Sequence, residues 1–418
     1  MSDFFKFSPN VMAAADAAMK GAEDAFSRIG EITAYNQQKV LKAFIDNGVS
    51  ESHFAATTGY GYGDRGREVI EAVFAQCVGA EDSIFRHNFM SGTHTLAVAL
   101  FGVLRPGDKM LCLTGKPYDT LLGVIGKERS ASGSLVDFGV EYDEVPVAAD
   151  GYPDIDAIRA KMAESPVKMA YIQRSKGYSS RKSLSVSQIG ELCRVVKEIS
   201  PETIVMVDNC YGEFVEKLEP TQVGADLMAG SLIKNPGGAI APTGGYIAGR
   251  ADLVEKCAFR LSAPGVGKEI GATLGHSREL FMGLFNAPHV VGEALKTAAF
   301  SAELYKILGY RVVPDTNDAR ADIIQTVEFK EAEELIDFCQ GMQSGSPVDS
   351  FAVPQPWDMP GYDNQVIMAA GAFTGGASIE LSADAPIREP YTAFMQGGIN
   401  FDSAKIGVML AAQKICGE

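Results

Sequence analysis

From residue 65 onward, short apolar runs alternate with helix-forming stretches, and this alternation constrains the fold more than any other feature of the chain. A helical pattern over 67–77 precedes a strand-like run over 82–89. Helices at 93–104, 120–126, 155–164 and 187–199 then alternate with strands at 109–113, 140–145, 168–173 and 203–207. Strands separated by helices of this length cannot pair as hairpins. They form βαβ units with a mostly parallel sheet. The run Ile204-Val205-Met206-Val207 is apolar at every position, as a strand covered on both faces must be.

The flanks read differently. Residues 9–47 are helical and only weakly apolar, which predicts an N-terminal arm (1–55) that docks on a partner subunit. A large α/β domain follows over 56–285. Helices at 269–308, 330–343 and 402–414, with strands at 323–329 and 377–381, mark a smaller α+β domain over 286–418. The fold class expected is therefore α/β, with a mostly parallel large domain and a smaller α+β C-terminal domain.

Charge and cysteines narrow the partners. With 37 basic and 53 acidic residues the net charge is −16, which argues against a phosphate backbone or an anionic membrane surface as partner. No apolar run approaches the roughly 20 residues of a membrane helix, and the first residues, Met1 to Lys6, lack a signal-peptide pattern. The seven cysteines are odd in number and scattered, forming neither a disulfide framework nor a zinc motif. No two of the five histidines stand at metal-binding helical spacing, and no metal site is expected. A cytoplasmic location with reduced thiols is the expectation.

Four features fall at the ends of predicted elements, where open α/β sheets bind ligands. Ser91-Gly92-Thr93 opens a helix, and its backbone N–H groups and the helix dipole suit a phosphate; an ordinary N-cap is the plainer alternative. Asp208 ends the apolar strand and needs a cationic partner or strong donors, such as a pyridinium N–H; taken alone, metal ligation or capping of the next turn is the favoured reading. Ser231-Leu232-Ile233-Lys234 runs into a Pro-Gly-Gly turn. A lysine desolvated there would have a lowered pKa and a nucleophilic amine, although taken alone a surface loop lysine is the favoured reading. Arg388, following the expected strand at 377–381, could clamp a carboxylate through two parallel hydrogen bonds, or pair with Glu380 or Glu389 on the surface.

In this order (phosphate-type turn, strand-end Asp, Ser-x-x-Lys, late Arg) the features resemble the fold-type I pyridoxal-phosphate enzymes of cysteine and methionine metabolism. Six motifs resemble more closely the methionine γ-lyase-like "aluminium resistance protein" family. They are Tyr60 to Glu68, Ser91 to His94, Asp208 to Phe214, Lys234 to Gly238, Ala287 to Gly292 and Ile379 to Asp384. The resemblance spans nearly the whole chain.

It implies a carbon–sulfur lyase with pyridoxal 5′-phosphate held as a Schiff base on Lys234. Asp208 would keep the ring nitrogen protonated. Ser91, Gly92, Thr93 and Ser231 would bind the phosphate. Tyr118 would stack on the ring, and its hydroxyl could protonate a leaving thiolate. Arg388 would hold the carboxylate of an amino-acid substrate. Tyr62 and Arg65 would reach the phosphate of a neighbouring subunit in a homo-oligomer, a dimer of dimers. The spacing departs from the family's by one residue, so Tyr60 and Arg67 stay as rivals. Ile233 stands where relatives often carry a hydroxyl. Gln173, Arg174 and Lys176 end a strand on the same edge and are candidates to face the substrate, and His94 is a candidate to touch the cofactor.

The implied reaction releases a thiol, a 2-oxo acid and ammonia from a sulfur amino acid such as methionine. A β-lyase acting on cysteine or cystathionine, an aldolase and an aminotransferase use the same lysine and aspartate and stay open. Gly61-x-Gly63-x-x-Gly66 fits a dinucleotide fingerprint, but the required preceding strand is missing from residues 51–58, which disfavours an NAD-dependent oxidoreductase.

Overall fold

The computed structural model describes residues 4–127, 132–179, 181–359 and 364–416. Residues 1–3, half of the segment read above as lacking a signal peptide, lie outside the described residues. The chain divides into two compact units, Asn36–Asn286 and a second made of Met1–Tyr35 with Ala287–Glu418.

The larger unit holds a seven-stranded sheet. Its strands are β1 (Asp82–Arg86), β2 (Lys109–Cys112), β3 (Glu141–Glu144), β4 (Met169–Gln173), β5 (Ile204–Asp208), β6 (Leu227–Ser231) and β7 (Gly245–Gly249). They lie in the order β1-β7-β6-β5-β4-β2-β3. β3, β2, β4, β5 and β6 pair in parallel, while β7 runs antiparallel to both β6 and β1. Every residue of β4, β5, β6 and β7 is buried, in keeping with their largely apolar sequences, and the polar residues Gln173, Asp208 and Ser231 stand at the ends of β4, β5 and β6. The helices Gly92–Val103 and Ala251–Leu261 supply Leu96, Leu100, Val254 and Cys257 to the core against Ile84, Met206 and Ile247.

Parallel pairing has one consequence for the site. Gln173 lies opposite Asp208, and Asp208 opposite Ala229, so the carboxyl ends of β4, β5 and β6 open on one edge of the sheet.

The smaller unit contains a five-stranded antiparallel sheet. Its strands are β8 (Arg311–Val313), β9 (Gln325–Phe329), β10 (Val366–Ala369), β11 (Ser382–Pro386) and β12 (Tyr391–Gln396), in the order β10-β11-β12-β9-β8. The helix Pro9–Gly21 buries Val11, Ala14, Ala15 and Ala18 in the same core as Phe338, Met342, Val408 and Met409. The N-terminal arm is thus not left for a partner to cover along this helix. Small alanines allow close packing without the large apolar residues that the sequence reading looked for.

Two expected elements shift. Residues 377–381 are not a strand; the strand is β11, further along the chain. Glu380 there accepts from the backbone amides of Phe373 and Thr374 at 2.9 and 2.8 Å, which shapes a loop instead. The long helix begins at Ser277 rather than 269, because Gly271, Leu274 and Gly275 adopt left-handed backbone that interrupts helical hydrogen bonding.

Candidate active site

The turn after β6 carries Lys234. Its amine donates to the Tyr211 hydroxyl at 2.7 Å and lies 3.8 Å from the centre of that ring. Burial alone would pull the Lys234 pKa down, but Tyr211, Cys210 and Asp208 outweigh it and hold the amine above its ordinary value. The expectation of a lowered pKa is therefore corrected for this arrangement: the acidic neighbours win over desolvation. Tyr211 reaches the lysine because its backbone is left-handed, with φ of 71°. Such a conformation is uncommon away from glycine and asparagine.

Asp208 ends β5 and is buried. One carboxylate oxygen accepts from the Cys210 N–H at 3.1 Å, and the other faces the Tyr171 hydroxyl at 3.4 Å. Burial raises its pKa, and Lys234 is among the groups that oppose the rise. The Cys210 thiol is a third donor, and a carboxylate's roughly four acceptor sites leave capacity for a further cationic donor.

Ser231 ends β6. Its Oγ is buried and meets no hydrogen-bond partner among the described residues. A methyl group placed on Gly92 would come to 3.4 Å from the Ser231 Cβ and 3.6 Å from the Cys210 Sγ, so the helix start lies directly against this strand end. Gly92 and Thr93 are the first two residues of their helix, and their N–H groups have no carbonyl one turn back. Ser91 Oγ accepts from the His94 N–H at 3.1 Å and is the N-cap. A direct side-chain role for Ser91 thus competes with this cap. His94 Nδ1 accepts from the Met90 N–H at 3.1 Å.

Tyr118 joins the group from the loop after β2. Its hydroxyl shares a hydrogen bond with Thr93 Oγ1 at 2.9 Å. Its backbone N–H donates to Gln173 Oε1 at 2.9 Å, and Gln173 Nε2 donates to the Ser175 carbonyl at 2.9 Å. Gln173 accordingly positions Tyr118. Burial first, and then Asp208, push the Tyr118 phenol well above its usual range, so it stays protonated.

Other candidates take different places. Arg174 is fully buried, and its guanidinium bonds Asn209 Oδ1 and Glu216 Oε1 at 2.8 Å and the Gly212 carbonyl at 3.0 Å. It braces the 209–216 turn and does not face a substrate. Lys176 is buried in the following loop. Arg181, which the sequence reading missed, donates to the carbonyls of Gln173 and Ser175 and steadies the same loop.

Arg67 is also buried, donating to the Gly61 and Gly271 carbonyls at 2.9 and 3.0 Å, so it drops out as a rival to Arg65. Arg65, Tyr60 and Tyr62 are exposed, and the two tyrosine rings lie 5.5 Å apart. Arg65 begins the helix Arg65–Val78, with its guanidinium 3.4 Å from His53 Nε2. The segment before Gly61 holds a short 3₁₀ helix, Glu51–Phe54, where a dinucleotide fingerprint would need a strand. Arg388 belongs to the smaller unit, exposed in the turn between β11 and β12.

These residues fit pyridoxal phosphate on their own chemistry. A buried hydroxyl without a partner faces a helix N-terminus, as a phosphate requires. A buried carboxylate with spare acceptor capacity and a lysine amine share the adjoining strand ends.

Comparison with known proteins agrees. The methionine gamma-lyase family model matches residues 11–416. The Bacillus subtilis protein YnbB is 49% identical over 389 residues, 93% of this chain and 92% of its own length. A crystal structure from Clostridium novyi, described as a carbon-sulfur lyase involved in aluminum resistance, is 48% identical and covers 98% of this chain and 96% of its own, with a TM-score of 0.94. The pyridoxal-5′-phosphate-dependent protein YhfS from Escherichia coli shares the fold at 15% identity, covering 91% of this chain and 95% of its own, with a TM-score of 0.63. The chain belongs to the methionine gamma-lyase family and is a pyridoxal-phosphate-dependent carbon–sulfur lyase of fold type I.

Proposed function

We propose that the protein eliminates a thiol from a sulfur amino acid of the methionine type and, with one water consumed, leaves a 2-oxo acid and ammonia. The observation that carries this reading is the convergence of Lys234, Asp208, Ser231 and the Gly92–Thr93 helix start at one sheet edge, in a chain of this family. Bound pyridoxal phosphate supplies an electron sink for the charge that develops at the substrate α-carbon.

The chain's own groups do the rest. Ser231 Oγ and the Gly92 and Thr93 N–H groups would hold the phosphate, and Asp208 would keep a proton on the ring nitrogen. Lys234 Nζ, once neutral, removes the α-proton and, where the sulfur leaves from the γ-carbon, a β-proton as well, with the Tyr211 hydroxyl as its proton partner at 2.7 Å. Tyr118, kept protonated by burial, gives its proton to the departing sulfur. Arg388 orients the substrate carboxylate. Tyr62 and Arg65, both exposed, complete the phosphate site of a second subunit, so the smallest active unit is a dimer.

Thiol and 2-oxo acid release from methionine, cystathionine and cysteine tests the reading. γ-Elimination from methionine yields a four-carbon 2-oxo acid, and β-elimination from cysteine a three-carbon one. Absence of turnover on all three would refute it, and Lys234→Ala is expected to lose turnover together with visible absorbance.

A further inference from the structure

Tyr118 begins a row of three hydroxyls whose far end is exposed. Its oxygen lies 2.9 Å from Thr93 Oγ1, and Thr93 Oγ1 lies 2.9 Å from Thr120 Oγ1. Thr93 is the second residue of the helix Gly92–Val103. Thr120 is the second residue of the helix Asp119–Ile125, for which Tyr118 is the N-cap. Tyr118 and Thr93 are half-buried, whereas Thr120 is exposed.

Each hydroxyl has one proton to donate and two acceptor sites, so two polarities satisfy the row. In one, Tyr118 donates to Thr93 and its proton is committed to the protein. In the other, Thr120 donates to Thr93 and Thr93 donates to Tyr118, which leaves the tyrosine proton to point elsewhere. A phenolate at Tyr118 accepts and cannot donate, so it admits only the second polarity. Burial opposes that charge most, followed by Asp208, and Cys210 adds to them; hydrogen bonds from Thr120 and Thr93 favour it. Donors in a row of this kind strengthen one another.

We propose that Thr120 is a positioning residue for the proton that Tyr118 delivers: with Thr93 it turns the tyrosine O–H away from the protein and reloads it from solvent. This rests on the reading of Tyr118 as the acid that protonates the departing sulfur. The Tyr118 O–H bond breaks as the S–H bond of the thiol forms. The phenolate oxygen then takes the Thr93 proton, Thr93 Oγ1 takes the Thr120 proton, and Thr120 takes one from water. The hydroxide left outside is neutralised by the buffer, and all three hydroxyls end as they began. A row that only held the Tyr118 ring in place would need neither a fixed polarity nor an exposed end.

The test uses the holoenzyme. S-ethyl and S-(para-nitrophenyl) derivatives of one amino acid differ in whether the leaving sulfur needs a proton, because the nitrothiophenolate is stable as an anion. Thr120→Val keeps the side-chain shape and removes the hydroxyl. It is expected to lower kcat about tenfold on the S-ethyl substrate, with KM and the rate on the nitrophenyl substrate little changed. Thr120→Ser should restore most of the loss. Tyr118→Phe should show the same selectivity more strongly. If Tyr118→Phe slows both substrates alike, Tyr118 is not the acid; the underlying reading then fails and the proposal falls with it. A second readout needs no turnover. With a fluorinated tyrosine at position 118, fluorine NMR follows ionisation of the phenol. Thr120→Val should raise that pKa by about one unit or more, and Thr120→Ser should leave it near wild type. With Tyr118→Phe selective, an equal loss on both substrates in Thr120→Val, or no loss on either, overturns the proposal alone. An unmoved fluorine titration does the same.

Discussion

At the scale of single residues, the lysine centre rests on side chains that have spare hydrogen-bonding capacity. Ser231 Oγ is the sharpest case, because its hydroxyl is buried without a protein partner. A hydrogen bond to a charged acceptor contributes about 1.5–3 kcal/mol. Ser231→Ala is therefore expected to weaken pyridoxal-phosphate affinity by roughly 10- to 100-fold with little change in Tm of the apoprotein, measured by cofactor titration. Glu213 offers a pH test. It is fully buried behind the lysine turn and accepts from Tyr246 at 2.6 Å, and desolvation pushes its carboxyl up from 4.5 to about 8. The folded state then holds a proton that the unfolded chain has released between pH 4.5 and about 8, so stability falls as pH rises through that window. Tm followed from pH 5 to 8 should decline less steeply in Glu213→Gln than in wild type. A Gln variant with an unchanged slope would show that another group governs it.

At the scale of elements, the turns after β4, β5 and β6 are held by one another. Arg174 joins the end of β4 to the turn after β5, and the helical start at Gly92 closes against Ser231. Arg174→Met removes a buried cation and leaves Glu216 and Glu219 without it. Breaking such a pair costs about 3–5 kcal/mol, so a large loss of Tm is expected in thermal unfolding. The Gly237 position is tighter still. A Cβ there would fall 1.6 Å from the Leu232 carbonyl oxygen, which no side-chain rotation can relieve. Gly237→Ala should displace the Lys234 turn and reduce cofactor occupancy, read from visible absorbance. These contacts were not legible in the sequence. The strands at the centre of the sheet were, because burial on both faces leaves an uninterrupted apolar signature. The expected strand at 377–381 failed for the converse reason: Glu380 bonds two loop amides there, and local apolar character does not report such a bond.

At the scale of the whole molecule, the net charge of −16 surrounds a site that must take up phosphate and carboxylate anions. Positive field there comes from a few placed groups, the helix start at Gly92 and Lys234 among them. The described residues contain no helix long and apolar enough to cross a membrane. If Arg65 completes a neighbour's site, each chain is incomplete alone. Mixed oligomers of Arg65→Ala with Lys234→Ala are expected to regain part of the activity that neither variant has by itself. Failure of mixed subunits to recover turnover, with exchange verified by mass, would place Arg65 in its own chain's site.

Whereas the strands Leu227–Ser231 and Gly245–Gly249 were seen only in the structure, the amino-acid sequence by itself determined the alternating βαβ order up to β5, the burial of that strand and the strand-end position of Asp208. These follow from periodicity and burial, which are local properties. It also carried the motifs that mark the family. The tertiary structure alone decided that Tyr211 turns back onto Lys234, that Arg67 and Arg174 are braces, and that Pro9–Gly21 packs in the core of its own unit. Each of those outcomes depends on which distant backbone carbonyl or carboxylate arrives beside a side chain. That arrangement is a property of the assembled packing, and no short window of residues encodes it.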